Sequence, residues 1–173
     1  MIVLESERLL FRAHEPADLD AFCEMEADPE VRRYVGGAPR LRAEAERRFQ
    51  EGLKKPISNR MAMWATIYKP EGRYIGRCGV FPHFESAGRV VAGEGSLGFY
   101  LARAYWGRGL ATEAGHAFVN FGFEELRLSR IVTAVEVGND ASVRVLEKLG
   151  FALVRTETGE FRSFHHFELH SRR

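Results

Sequence analysis

Residues 96–126 change period once, and the join is built from glycine. Residues 96–101, Ser-Leu-Gly-Phe-Tyr-Leu, read as a strand. The stretch Leu101-Ala-Arg-Ala-Tyr-Trp-Gly-Arg-Gly-Leu-Ala-Thr-Glu-Ala114 then turns into a helical pattern over residues 111–126. There Ala111, Ala114, Phe118 and Phe121 form one ridge, and Gly115, Val119, Gly122 and Leu126 form its neighbour. An apolar face that broad, with small residues in it, suits a helix lying flat on a sheet. The chain is therefore expected to layer helices on strands.

The flanking sequence supplies the other elements. Residues 8–12 read as a short strand. Pro16, tolerated in a first turn, opens a helix carrying Leu19, Phe22, Cys23 and Met25. A second helix, residues 41–53, places Leu41, Ala45, Phe49 and Leu53 on one face, and its mixed charges form a solvated face. Strands follow at residues 61–68, 74–80 and 96–101, separated by Pro70-Glu71-Gly72 and by a glycine-rich stretch ending Gly93-Glu94-Gly95. After the long helix come a strand at residues 130–136, a helix at 141–149 stopped by Gly150, and strands at 151–155 and 163–169. The order β-α-α-β-β-β-α-β-α-β-β is an α/β arrangement, a mixed sheet with helices on both faces. No repeat or linker divides residues 1–173, so a single domain is expected.

With 45% apolar and 28% charged side chains, the chain falls among ordinary globular proteins rather than disordered or disulfide-stapled ones. Basic and acidic residues nearly cancel, 25 against 24, which gives no reason to expect nucleic acid or an acidic membrane surface as partner. Cys23 and Cys78 each sit in an apolar stretch without zinc-site spacing and read as buried free thiols, consistent with a reducing compartment. The N-terminal apolar run is broken by charge after four residues, and no run approaches a membrane span, so a cytoplasmic location is expected. His166, Glu168 and His170 alternate along the last strand. With no fourth ligand evident they read as solvent-facing polar positions, and no metal is expected.

A literal G-x-G-x-x-G at Gly93, Gly95 and Gly98 leads into a strand, whereas a dinucleotide fingerprint must follow a strand and open a helix. No P-loop pattern occurs. Gly107 and Gly109 stand in the required place instead, between a strand and the start of a long helix. Glycines there let a ligand approach the backbone, and helix-terminal N–H groups seat a phosphate or pyrophosphate, with Arg103 and Arg108 adding charge. The alternative is a ligand-free strand-to-helix turn. A second segment, Asn139-Asp-Ala-Ser-Val-Arg-Val-Leu-Glu-Lys-Leu-Gly-Phe151, follows the strand at 130–136 and opens the next helix. Asn139 or Asp140 suits an N-cap there.

Taken together these segments resemble the Gcn5-related N-acetyltransferase family, and within it the branch that acetylates ribosomal-protein N-termini. The likeness runs from Ser6 to about Phe151. It is carried by Ser6-Glu-Arg-Leu-Leu-Phe-Arg12, Ala27-Asp-Pro-Glu-Val-Arg-Arg-Tyr34, Leu97-Gly-Phe-Tyr-Leu101, Tyr105-Trp-Gly-Arg-Gly-Leu-Ala-Thr-Glu-Ala114, and Asn139-x-x-Ser142 with Leu146-Glu-Lys-Leu-Gly-Phe151. The resemblance implies an acyl-CoA N-acyltransferase fold, with a mostly antiparallel sheet whose two central strands splay apart around acetyl-CoA. The pyrophosphate would lie on Trp106, Gly107, Arg108, Gly109, Leu110, Ala111 and Thr112. The pantetheine arm would run beside Phe99 and Leu101, with Asn139 and Ser142 contacting the cofactor from the other strand. An amine acceptor is implied as second partner, and a monomer or a homodimer as assembly.

The implied reaction is direct attack of a neutral amine on the thioester, with a backbone N–H near residues 99–101 as oxyanion donor. No tyrosine follows Tyr105, so Ser142, at the position the branch uses, is expected to return a proton to the thiolate. The branch commonly has a glutamate where Ser96 stands. Glu94, two residues earlier and on the same strand face, is the expected base, with Glu136 acting through water as the alternative. A lysine-like amine loses about 4–5 kcal/mol to deprotonation at pH 7 and an α-amine about 1 kcal/mol, so a displaced base favours α-amine acceptors. A competing reading keeps the fold as an acyl-CoA-binding regulatory domain without transfer.

Overall fold

The computed structural model describes residues 1–54, 60–85 and 88–171. Strands β1 (Ile2–Glu5), β2 (Leu9–Arg12), β3 (Trp64–Tyr68), β4 (Arg73–Phe84), β5 (Val90–Leu101), β6 (Arg130–Glu136), β7 (Ala152–Thr158) and β8 (Ser163–His170) form one sheet. Its order is β1-β2-β3-β4-β5-β6-β8-β7. Helices α1 (Leu19–Ala27), α2 (Pro29–Arg32) and α3 (Arg42–Lys54) precede β3, while α4 (Leu110–Asn120) links β5 to β6 and α5 (Asp140–Lys148) links β6 to β7. The expected α/β architecture is therefore present. Two apolar clusters sandwich the sheet. One gathers Phe118 and Leu110 of α4 and Leu146 of α5 with Phe11, Ile75, Leu97 and Ile131. The other gathers Phe22, Phe49 and Ala45 of α1 and α3 with Ala65, Ile67 and Tyr74. Each buried large side chain contributes about 1.5–3 kcal/mol.

Some elements differ from the sequence reading. β1 was not expected, because its four residues form an edge strand too short to show a pattern. The β4–β5 hairpin is longer at its turn end than the expected 74–80 and 96–101. Pro82 and Gly95, which resemble turn residues, face each other inside it. The proline sits at the edge of a bulge, and a Cβ on Gly95 would stand 2.5 Å from Val80 Cγ1, so close packing rather than turning explains that glycine. The long helix is α-helical only to Asn120 and continues as a single π turn, Phe121–Glu125.

β5 and β6 are the only parallel neighbours among the described residues. They pair over Glu94↔Arg130, Gly95↔Ile131 and Ser96↔Val132. Beyond that rung β5 stays bonded to β4 as far as Leu101, and β6 stays bonded to β8 as far as Glu136. The two central strands therefore part after Ser96 and Val132, as expected, and open a wedge through the sheet.

Candidate active site

The wedge is a cleft of about 360 Å³. One wall carries Phe99, Tyr100 and Leu101 of β5, and the opposite wall carries Asn139, the cap of α5, with Ser142, Arg144 and Lys148 along that helix. Its floor is the turn into α4, with Trp106, Gly107, Gly109, Leu110, Ala111 and Thr112. Val31 and Tyr34 close it from the α2 face, where Tyr34 Oη donates to the Gly138 carbonyl at 3.0 Å.

Local chemistry explains this floor. Gly107 and Gly109 have φ of 72° and 76°, a left-handed backbone that favours glycine. Trp106 Nε1 donates to the Leu101 carbonyl at 2.7 Å and pins the turn to the strand end. Gly109 is the N-cap of α4 and has no side chain with which to cap the first amides. A Cβ built on Gly107 would meet nothing within 4 Å. The turn is braced from behind by the connection between β1 and β2. Arg8 Nη1 donates to the Arg108 carbonyl at 3.0 Å, and Glu113 accepts from the Ser6 hydroxyl, the Arg8 amide and Arg8 Nε, each at 2.7 Å. Burial works against the Glu113 carboxylate, but the Ser6 and Arg8 donors outweigh it and hold its pKa below the ordinary value.

Sequence-expected residues divide into those gathered here and those held elsewhere. Every expected cofactor contact lines the cleft except Arg108. Its guanidinium lies over the Tyr68 and Tyr105 rings and donates to Tyr68 Oη at 3.0 Å. Arg103 lies outside the lining too. The cations that do line the cleft are Arg144 and Lys148, whose i,i+4 spacing was the available signal. Asn139 caps α5, its Oδ1 accepting from the Ser142 amide at 3.3 Å, which fixes Ser142 on the wall.

Neither expected carboxylate stands in the lining. Glu94 sits below the wedge, where its Oε2 accepts from Arg130 Nη2 at 2.8 Å, and Arg130 also donates to Glu168 at 3.0 Å. Hydrogen bonding to Glu94 raises the Arg130 pKa, which holds the guanidinium in its charged form. Glu136 faces Arg162, Oε2 to Nη2 at 3.3 Å. At the last shared rung, Ser96 Oγ and His83 Nδ1 are 3.2 Å apart. His170 contacts Glu168 and His166 lies beside Glu157, each at 3.1 Å, and no three metal-ligating side chains converge among the described residues. No helix among those residues is long and apolar enough to cross a membrane.

Comparison with known proteins identifies this arrangement. Residues 8–152 match the family described as Acetyltransferase (GNAT) domain. The chain belongs to the GNAT acetyltransferase family. This GNAT enzyme is 31% identical over 152 residues to the uncharacterized N-acetyltransferase p20 of Bacillus licheniformis, covering 87% of this chain and 83% of that one. It is 34% identical to the putative ribosomal N-acetyltransferase YdaF of Bacillus subtilis over 58 residues, 34% of this chain and 32% of that one. Among solved structures, a GNAT-family acetyltransferase from Bacillus anthracis superposes with a TM-score of 0.82 at 22% identity, covering 98% of both chains. Spermidine N-acetyltransferase from Vibrio cholerae, solved with CoA and spermine, superposes at 0.76 and 17% identity, covering 95% of this chain and 96% of that one. These last two likenesses concern the fold. The protein is an acetyl-CoA-dependent N-acetyltransferase.

Proposed function

We propose that residues 1–173 act as one catalytic domain that acetylates an α-amine, on a peptide N-terminus or an amino-acid-like molecule, by direct attack. The observation that carries this reading is the wedge itself, open through the sheet from the α5 face to the α2 face. Cofactor and acceptor can meet in it from opposite sides.

Acetyl-CoA supplies the acetyl group as a thioester. The residues present fit it. The uncapped amides at residues 110–112 and the open space at Gly107 suit a diphosphate, and Arg144 and Lys148 add positive charge beside it. The Phe99 and Leu101 backbone, left without a β6 partner beyond Ser96, offers hydrogen bonds to a pantetheine arm. Ser142, held by the Asn139 cap, hands a proton to the leaving thiolate. On the acceptor side Glu30 is the lone lining carboxylate among the described residues, beside Val31, Tyr34 and Val35. That wall suits a single amine on a partly apolar body better than a polycation. Deprotonation favours the same choice, because an α-amine loses about 1 kcal/mol at pH 7 and a lysine-like amine about 4–5.

The test is thiol release from acetyl-CoA with N-terminal peptides, free amino acids, lysine side chains and aminoglycosides. Turnover with the first two is expected. A preference for lysine side chains or aminoglycosides would overturn the acceptor assignment, and CoA binding without turnover on any amine would favour a binding module. Ser142→Ala should lower turnover by about 100-fold while CoA affinity holds. Unchanged turnover would remove its role.

A further inference from the structure

An amine that attacks as the free base must lose a proton near the apex of the wedge, and both expected carboxylates are engaged by arginines outside the lining. We infer that His83, acting through the Ser96 hydroxyl, takes that proton. This inference rests on the transferase reading above.

Three placements support it. Ser96 occupies the last rung shared by β5 and β6, so it stands where the wedge begins. Alternation along β5 puts Ser96 on the same face as Tyr100, which lines the cleft, with only Gly98 between them. Ser96 and His83 lie below the residues that line the cleft, so an amine must pass Tyr100 toward the apex to meet the Ser96 hydroxyl. The third placement is on β4. Phe81 pairs with Ser96, and alternation puts His83, two residues further on, on the same face, where its Nδ1 lies 3.2 Å from Ser96 Oγ.

The proton path closes chemically. As the amine nitrogen bonds to the thioester carbon, the C–S bond breaks and its electron pair leaves on sulfur. The surplus proton on nitrogen passes to Ser96 Oγ while the Ser96 proton passes to His83 Nδ1, and the resulting imidazolium returns its proton to solvent. Ser142 supplies the thiolate proton and regains one from water. His83 must then start as the tautomer with its hydrogen on Nε2. The charges on the neighbouring elements are matched in pairs. Glu94 of β5 is bonded to Arg130 of β6, which also holds Glu168 of β8, with His170 on Glu168. Glu85, just past β4, is bonded to Arg89. Residues 61–63, which pack on Gly79 and Gly98, carry no charge. Histidine is the side chain whose ordinary titration lies nearest neutrality, which suits a group that must accept and release a proton in each turnover.

The experiment follows thiol release across pH for wild type and variants of the full chain, with an α-amine peptide as acceptor. His83→Gln should lower kcat at neutral pH by about 100-fold or more and remove the acidic limb of kcat against pH, while CoA still raises the melting temperature as in wild type. Ser96→Ala should lower kcat similarly. Ser96→Glu placed in the His83→Gln background should restore much of the rate by setting a carboxylate at the apex, a rescue that a structural role for His83 would not produce. His83→Gln with undiminished kcat and an intact acidic limb overturns the inference, as does loss of that limb in Glu94→Gln alone. Should His83→Gln fail to fold, Ser96→Ala, which removes one oxygen, decides the matter, and undiminished kcat again overturns it. Wild type that releases no thiol with any amine sinks the transferase reading and this inference together; an active wild type with unaffected variants sinks this inference only.

Discussion

Gly107→Ala separates the stability of the turn from its work as a ligand seat. Without ligand, the substitution meets only the backbone penalty. A methyl there has nothing within 4 Å, while φ is 72°, and placing an L-residue in that region costs about 1–2 kcal/mol. For a chain of 173 residues, unfolding entropy near the midpoint is about 0.36 kcal/mol per degree, so the free variant should melt roughly 3–6 °C lower. With ligand, the methyl occupies the open space beside the uncapped amides. Losing about two charge-assisted contacts of the usual strength weakens CoA binding about 100-fold. CoA at about 100 times the wild-type Kd stabilises wild type by about 2.7 kcal/mol, near 7 °C, and at the same concentration stabilises the variant by about 0.4 kcal/mol, near 1 °C. Differential scanning fluorimetry with and without CoA reads both quantities. If the variant melts lower yet gains the full wild-type shift, the diphosphate does not rest on this turn and the reasoning fails.

Two further expectations concern the body of the fold. Burial against Phe49 and Tyr74 lowers the His14 pKa to about 4, so between that value and the ordinary 6.5 the unfolded chain holds a proton that the folded one does not. Stability should therefore fall as pH drops through this window, by up to about 3 kcal/mol. His14→Gln should flatten that part of a urea-stability profile, and an unchanged slope would refute the assignment. Glu26, 1% exposed, accepts from Arg77 at 2.7 Å, faces Arg32 at 3.3 Å and also bonds Arg40. Glu26→Ala leaves those guanidinium groups uncompensated and should cost about 3–5 kcal/mol by chemical denaturation, and a loss below about 1 kcal/mol would show that they find other partners.

What could be read from the sequence followed from how locally each feature is determined. The turn at residues 106–112 was legible because a left-handed backbone between strand and helix demands glycine whatever surrounds it. Asn139 was legible as a cap for the same reason. The fates of Arg108 and Glu94 were not, because the groups that capture them, Tyr68 and Arg130, lie 40 and 36 residues away. A charge beside a motif suggests a role in it until a distant partner is seen. His83 was hidden differently. Its contact with Ser96 depends on the pairing of Phe81 with Ser96, a register that exists only once two strands have met. Gly93, Gly95 and Pro82 look like turn residues by composition, yet all three lie in strands; close packing of Val80 explains Gly95, and the register slip beside Pro82 admits the proline.

The site's chemistry also follows from strand direction. β5 and β6 run parallel, so their carboxyl ends lie on the same side of the sheet. Each strand leads into a helix, β5 into α4 through the glycine turn and β6 into α5 through Asn139. Both helices therefore begin at the wedge, and the positive ends of both dipoles border one opening, where the proposed diphosphate would gain from each. Had the neighbouring strands been antiparallel, one helix would start at the far edge, and the seat would lose either its glycine amides or the Ser142 wall. Parallel pairing over three rungs brings the proposed cofactor seat and the proposed proton donor together, and divergence beyond the third opens the space between them.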